Sequence, residues 1–186
     1  MSQDGWADTI SSGHGAAPGP LRQRFRGPTT RGDAMSGYLT EQQAKLGQEI
    51  GVSDWIELTQ EMVNQFSELT LDPQFIHVDP VRAKAETPFG GTIVHGFFVL
   101  SLTVHMAEDC MPPHPDHKML LNYGFDKVRF IRPVPVGSRV RGRFTLNAIS
   151  EKNPGQFLST FGLSIEIDDE HLKPALVAEW LGMAFA

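Results

Sequence analysis

The stretch HGFFVLSLTVHMAEDCM, residues 95–111, is apolar on nearly every side over its first half. A helix with this pattern is wrapped by other parts of the protein, because a helix on the surface keeps a polar face. Its continuous apolar part falls well short of the roughly 20 residues that a helix needs to cross a bilayer. We therefore predict one long, buried central helix and no membrane span.

Four strand-like segments follow this helix, each rich in alternating apolar residues and each ended by turn-forming residues. We place them at residues 119–131, 138–150, 157–167 and 174–185 and expect them to form a meander. Arg139, Arg141 and Arg143 alternate with apolar residues, which predicts that one face of the sheet meets solvent. A buried helix followed by antiparallel strands indicates an α+β fold in which the sheet lies against the helix.

Shorter elements precede the central helix. Ile50, Val52 and Ile56 alternate as in a strand or extended segment, and Thr59 can cap a helix that delivers the chain to Asp72. A second short helix is predicted for PVRAKAE, residues 80–86, ended by Pro88 and a pair of glycines. A glycine loop then leads into the central helix.

The length of 186 residues with 40% hydrophobic content suits a single core. Residues 1–36 are rich in Gly, Pro, Ser and Arg and show no sustained hydrophobic period. We predict a disordered N-terminal extension over 1–36 and one domain over 37–186. No apolar run follows the first methionine as in a secretory signal, and Met35 is an alternative start.

Charge and cysteine content restrict the partners of the protein. The net charge of −6 provides no positive field for DNA or RNA, so a nucleic-acid partner is not expected. A small anionic ligand such as CoA remains compatible, because a few local donors can hold a phosphate. The single cysteine, Cys110, excludes an internal disulfide, and we expect a cytoplasmic protein.

The segment LDPQFIHVDP, residues 71–80, holds a carboxylate and an imidazole five residues apart, Asp72 and His77. An Asp/His pair that converges on one water can act in general acid/base chemistry, since histidine titrates near neutral pH. Asp-Pro also opens ordinary turns, and an Asp/His pair is more often structural, so the spacing by itself favours a structural role.

Gly96 lies at the first turn of the central helix, where backbone N–H groups lack partners within the helix. Such an N–H in a dry pocket can stabilise an oxyanion, and one donor of this kind contributes about 10²–10³ in rate. The other interpretation is a glycine that allows a tight turn and close packing.

Taken together, LDPQFIHVDPVRAKAETPFGGTIVHGF (71–97) and NYGFDKVRFIRPVPVGSRVRGRF (122–144) resemble the MaoC-like dehydratase family, and within it the branch similar to nodulation protein N. The resemblance covers residues 37–186. It implies a hot-dog fold, in which a sheet wraps a central helix, and a homodimer. It also implies hydration of trans-2-enoyl-CoA to (R)-3-hydroxyacyl-CoA, or the reverse dehydration, without a cofactor.

The resemblance implies roles for individual residues. Asp72 and His77 match the catalytic pair, and Gly96 matches the glycine whose N–H stabilises the thioester oxygen. R-hydratases often carry Asn-Pro within the pair, where this chain has Gln74 and Phe75. Our candidates for substrate contacts are Gln74, Phe97 and Tyr123.

Several points stay open at this level. His114 and His117 resemble a metal pair, but no further ligands surround them in the sequence, and we predict no metal. An acyl-CoA thioesterase or a non-catalytic acyl-thioester binding protein is compatible with the same fold. The length of the acyl chain, and whether the thioester is carried by CoA or an acyl carrier protein, are not set by the sequence.

Overall fold

The computed structural model describes residues 31–111, 113–171 and 173–186. No helix in these ranges is long and apolar enough to span a bilayer. The helices are α1 Arg31–Gln43, α2 Gln60–Thr70, α3 Phe75–Val78, α4 Pro80–Glu86, α5 Gly96–Ser101 and α6 Thr103–Cys110. The strands are β1 Glu49–Val52, β2 Ile56–Glu57, β3 Met119–Phe130, β4 Arg139–Asn153, β5 Gln156–Ile167 and β6 Leu176–Phe185.

Helix α1 changes the predicted N-terminal boundary. It begins at Arg31, so residues 31–36 are helical and not disordered as the sequence suggested. Residues 1–30, the rest of the predicted extension, lie outside the described residues. The prediction rested on composition and on the lack of a hydrophobic period, and Gly32 and Gly37 lower the helical propensity of this stretch.

The two helices predicted before the central helix begin where the sequence indicated. Thr59 is the N-cap of α2, and its side chain accepts a hydrogen bond from Met62 N at 3.3 Å. Asp79 caps α4 in the same way by accepting from Arg82 N, and Pro80 occupies the first turn, where a missing N–H costs nothing. Both caps satisfy N–H groups that the helix itself leaves unpaired.

The central helix is broken once, where the sequence predicted a single helix. α5 and α6 meet at Leu102, whose N–H bonds back only three residues to Val99 O. Ser101 Oγ donates to Phe98 O and Thr103 Oγ1 donates to Leu100 O, both at 2.7 Å or less. Side-chain hydroxyls that donate to backbone carbonyls within a helix compete with the backbone N–H groups for these acceptors. This competition accounts for the break in the helix at Leu102.

The six strands form one antiparallel sheet in the order β1-β4-β5-β6-β3, with β2 also paired to β4. The four long strands are confirmed close to their predicted positions. Their arrangement as a simple meander is wrong, because β3 pairs with β6 and not with its sequence neighbour β4. Only β4, β5 and β6 follow one another as a meander.

The sheet packs its buried face on the central helix. Along β4 the predicted alternation is confirmed, with Val140, Gly142 and Phe144 buried and the arginines between them more exposed. Met106 of α6 and Phe144 of β4 are both fully buried in one continuous core. Burying a side chain of this size contributes about 1.5–3 kcal/mol, so the helix-to-sheet contact is a main source of stability.

The connection from β3 to β4 positions the loop before α5. Ile131 N donates to Ala175 O at 2.8 Å, which ties the start of the connection to the residue before β6. Farther on, Val94 N donates to Val134 O at 2.8 Å, and Val136 N donates to Thr92 O at 3.0 Å. The segment that leads into the central helix is therefore held by backbone bonds from a distant part of the chain.

Candidate active site

Asp72 follows directly on a strained helix end. α2 ends at Leu71, whose backbone is left-handed with φ 59° and ψ 36°. The Asp72 N–H donates to Ser67 O at 3.0 Å, and Ser67 Oγ donates back to Asp72 O at 2.8 Å. Because Ser67 is buried, these bonds tie the backbone of Asp72 to α2, while its side chain remains 55% exposed.

His77 lies in the short helix α3 and is buried. Its Nδ1 lies 2.7 Å from the carbonyl oxygen of Ile93. A carbonyl only accepts hydrogen bonds, so Nδ1 carries the proton and Nε2 holds the lone pair in the neutral ring. The ring is thereby held in the tautomer whose Nε2 can take up a proton.

The backbone around His77 is joined to the loop before α5. Gln60 Nε2 donates to His77 O at 2.7 Å, and Thr92 Oγ1 donates to Gln60 Oε1 at 2.6 Å. Ile93 N donates to Ile76 O at 3.0 Å. Three separate segments of the sequence are therefore connected by hydrogen bonds within a few ångströms of the imidazole.

The environment of His77 disfavours its charged form. Burial is the main cause and holds the pKa of His77 below its ordinary value, and the nearby His95 acts in the same direction. The hydrogen bond to Ile93 O and the negative charge of Asp72 act in the opposite direction but do not overcome burial. A neutral imidazole at neutral pH is the form that a general base requires.

The structure adds one residue that the sequence reasoning missed, His95. It is 3% exposed, and its Nε2 lies 3.1 Å from Asp72 O and 3.9 Å from Asp72 Oδ2. Its ring stacks on that of His77, with centroids 3.7 Å apart and planes 25° apart. The available signal in the sequence was its position directly before Gly96, at the start of the buried helix.

These side chains border a cavity of about 380 Å³. Gly96, the first residue of α5, lies beside them, and its N–H donates to no backbone acceptor in the described ranges. A polar end and an apolar remainder make this a site for a ligand that is itself part polar and part apolar. The lining residues are Asp72, His77, Ile93, Val94, His95, Gly96, Phe97, Val99, Phe130, Ile131, Arg132, Pro133, Val134, Ala175 and Leu176.

The three predicted substrate-contact residues lie in different places. Phe97 borders the cavity. Gln74 is the exposed N-cap of α3, and Tyr123 is 58% exposed near the start of β3; neither borders the cavity. The strand meets the cavity at Phe130, seven residues beyond Tyr123, which is about 23 Å along an extended strand. Substrate contact by Gln74 and Tyr123 stays a prediction.

Several basic residues of the sheet and of the β3–β4 connection are paired with carboxylates. Arg132 forms a paired contact with Asp169, and Lys127 lies 3.0 Å from Glu179. On the solvent side of the sheet, Glu166 accepts from both Arg141 and Arg143. These pairs favour the interpretation of the alternating arginines as a solvated face.

Three residues of the site lie close enough together to be candidate metal ligands. Asp72, His77 and His95 each have a potential ligand atom within 4.8 Å of the others. His95 Nε2, however, already lies at hydrogen-bond distance from a carbonyl oxygen and therefore carries a proton, so it has no lone pair for a metal in this arrangement. The expectation of a site without metal stays a prediction.

The sheet wrapped on a central helix, with a cavity whose polar end lies at the start of that helix, defines a hot-dog protein. The family described as MaoC like domain matches residues 41–158, and the chain belongs to this family. This confirms the resemblance seen in the sequence.

Individual relatives agree with that assignment. The chain is 47% identical to nodulation protein N of Rhizobium meliloti over 146 residues, which is 78% of this chain and 90% of the relative. It is 45% identical to 3-hydroxyacyl-thioester dehydratase Z of Mycobacterium tuberculosis over 136 residues, covering 73% and 88% of the two chains. The solved (R)-hydratase from A. caviae involved in PHA biosynthesis superposes with a TM-score of 0.60 at 25% identity, covering 74% of this chain and 94% of that one.

Proposed function

We propose that this protein adds water across the 2,3 double bond of a trans-2-enoyl-CoA to give the (R)-3-hydroxyacyl thioester, and catalyses the reverse dehydration. The observation that carries the proposal is the tautomer of His77. Its Nδ1–H is bound to Ile93 O, so the basic Nε2 is free of that bond, in a residue that borders the same cavity as Asp72 and Gly96. The names of the dehydratase and hydratase relatives support the same reaction class.

In this proposal Asp72 and His77 hold one water between them. The water oxygen bonds to C3, and the electrons of the double bond move toward the thioester oxygen. The pair removes one proton from the water and returns one to C2, so that the net change is the addition of H and OH. The Gly96 N–H stabilises the negative charge that develops on the thioester oxygen.

The proposal is tested by the ultraviolet absorbance of trans-2-enoyl-CoA substrates of several chain lengths, which falls as the double bond is hydrated. Asp72→Asn should reduce kcat/KM by about 10²–10⁴, the usual contribution of a general acid or base. Its fold should be retained, since the bonds that fix this residue use its backbone. The matched control is Glu68→Gln, which removes an exposed carboxylate from α2 and should leave activity unchanged.

Other outcomes would support other functions of the same fold. Release of free thiol from acyl-CoA without hydration would indicate a thioesterase. Saturable acyl-CoA binding that survives Asp72→Asn, with no turnover by either protein, would indicate a binding protein. A folded wild-type protein that hydrates no enoyl-CoA or enoyl acyl carrier protein would overturn the proposal.

We also propose that the protein forms a homodimer through β3. This strand lies at one end of the sheet and pairs only with β6 among the described strands. It carries exposed apolar side chains that we call the β3 patch: Met119, Leu120, Leu121 and Tyr123, each 48–58% exposed. A long apolar edge strand with free backbone groups is a template for pairing with another strand.

A further inference from the structure

The four residues from Ile93 to Gly96 contact every part of the proposed catalytic group. Ile93 O accepts from His77, and Gly96 provides the N–H for the thioester oxygen. Between them, His95 joins the segment to Asp72: its Nε2 donates to Asp72 O at 3.1 Å, while its own carbonyl accepts from Val99 N and begins α5. One residue thus links the loop of Asp72 to the helix that presents Gly96.

The surroundings of the His95 ring restrict it to one position. One face stacks on His77 at 3.7 Å between centroids, and Phe66 packs against the ring at 5.2 Å. Phe66 is itself stacked on Phe98 of α5 at 5.0 Å. The imidazole therefore lies between the proposed base and the apolar core, with little room to rotate.

Only one of the two ring nitrogens of His95 has a hydrogen-bond partner in the described part of the chain. Its Nε2 is bonded, but its Nδ1 is buried and has no hydrogen-bond partner in the described part of the chain. A buried polar atom without a partner destabilises a fold, and an apolar ring of similar shape would avoid that cost. Packing alone thus does not account for a histidine here, whereas the bond to Asp72 does.

Building on the proposed function, we infer that His95 is a positioning residue that sets the Asp72 loop relative to His77 and Gly96. It acts through the hydrogen bond to Asp72 O, and the stacking of its ring on His77 keeps Nε2 directed at that oxygen. It does not itself exchange a proton with the substrate. The bonds to Ser67 tie Asp72 to α2 and not to His77 or Gly96. Loss of the His95 donor therefore lets the Asp72 loop move relative to His77, and displacement of catalytic groups by about 1 Å can cost about 10²-fold in rate.

Two variants separate the hydrogen bond from the packing. His95→Phe keeps an aromatic ring between His77 and Phe66 but removes the donor, together with the unpaired Nδ1. His95→Gln keeps a donor of similar reach but removes the ring. We expect His95→Phe to be at least as thermally stable as wild type, because it buries no unpaired polar atom. His95→Gln should be less stable than wild type, because it loses the stacked ring.

Hydratase activity should follow a different order, with wild type above Gln and Gln above Phe. We expect kcat of His95→Phe to fall by about 10- to 100-fold, with KM changed by less than about threefold, because the defect lies in geometry and not in binding. His95→Gln should recover part of kcat in spite of its lower stability. Activity that follows stability, or full kcat in His95→Phe, would show that the residue serves packing alone.

A second readout does not depend on turnover. Hydrogen–deuterium exchange of the peptide covering residues 68–77 should be faster in His95→Phe than in wild type, and close to wild type in His95→Gln. Unchanged exchange in His95→Phe overturns the inference whether or not the protein is a hydratase. A wild-type protein without hydratase activity, but with the expected exchange pattern, would instead remove the proposed function and leave the positioning contact in place.

Discussion

Leu71 is the one non-glycine residue with a positive φ in the described ranges, and it directly precedes Asp72. A left-handed backbone costs a residue with a Cβ roughly 1–2 kcal/mol, and the apolar side chain of leucine cannot form a local hydrogen bond that would offset this, as asparagine can. Its side chain is 86% exposed, so burial offsets little of that cost either. Strain of this kind is concentrated at functional sites, which agrees with a loop shaped to present Asp72.

Leu71→Asn should therefore stabilise the protein by about 1 kcal/mol, because asparagine tolerates the left-handed region. Unfolding in urea would measure the change. Leu69→Asn is the matched control: this residue is 83% exposed and lies within α2, where φ is negative. A gain of equal size at both positions would indicate an effect of surface polarity and not of backbone strain.

The protonation of His77 predicts how activity and stability depend on pH. Because burial holds the pKa of His77 below its ordinary value, the base stays neutral at neutral pH. The acidic limb of kcat/KM should then have its midpoint below about 6.5. The unfolded chain binds this proton more readily, so the contribution of His77 to the free energy of unfolding should fall as pH drops below about 6.5.

An NMR titration of the His77 ring would measure whether its pKa lies below the ordinary value, as burial requires. Asp72→Asn removes a charge that raises the pKa of His77, so the midpoint should move lower still in that variant. A midpoint above the ordinary histidine value in wild type would contradict the assignment of burial as the main influence.

Gly96 of α5 lies close to the ring of Phe130 at the end of β3. A Cβ placed there would lie 2.9 Å from two ring atoms of Phe130, closer than real Cβ contacts. Gly96→Ala should therefore push this ring out of its contact with Phe97, whose centroid lies 5.7 Å away. We expect a loss of about 1–3 kcal/mol in the free energy of unfolding, the usual range for overpacking.

A double-mutant cycle with Phe130→Ala tests this cause. Once the ring is removed, Gly96→Ala should cost less than about 0.5 kcal/mol, since the clash is gone. Gly91→Ala is the control, because a Cβ there meets no atom within 4 Å and its φ is not left-handed. Equal losses at Gly96 with and without the Phe130 ring would contradict the proposed contact.

The β3 patch makes a prediction about the assembly of the molecule. Leu121→Lys places a charge in the patch and should shift the protein from dimer to monomer, because an unpaired charge in an apolar interface is costly. Light scattering coupled to size-exclusion chromatography would measure the mass. Leu69→Lys, at an exposed leucine outside the patch, should leave the dimer intact. A wild-type protein that is monomeric at all accessible concentrations would contradict the proposal.

Much of the fold could be predicted because it depends on residues close in sequence. Thr59 marks a helix start by a local hydrogen bond, and Pro80 marks one because it lacks the N–H that a first turn leaves unpaired. Alternation such as that of Val140, Gly142 and Phe144 marks a strand with one buried face. The pairing of β3 with β6 could not be obtained in this way, because alternation specifies which face is buried and not which strand lies alongside.

At the candidate site, the residue types follow from the order of amino acids: Asp72 and His77 lie at a spacing shared with a known family, and Gly96 lies at the head of a buried helix. That Ile93 O holds the tautomer of His77, and that His95 bonds Asp72 from 23 positions away, follows from the folded arrangement alone. The reason is physical. A hydrogen bond depends on distances of a few ångströms in space, and such contacts between distant segments exist only once the chain is folded.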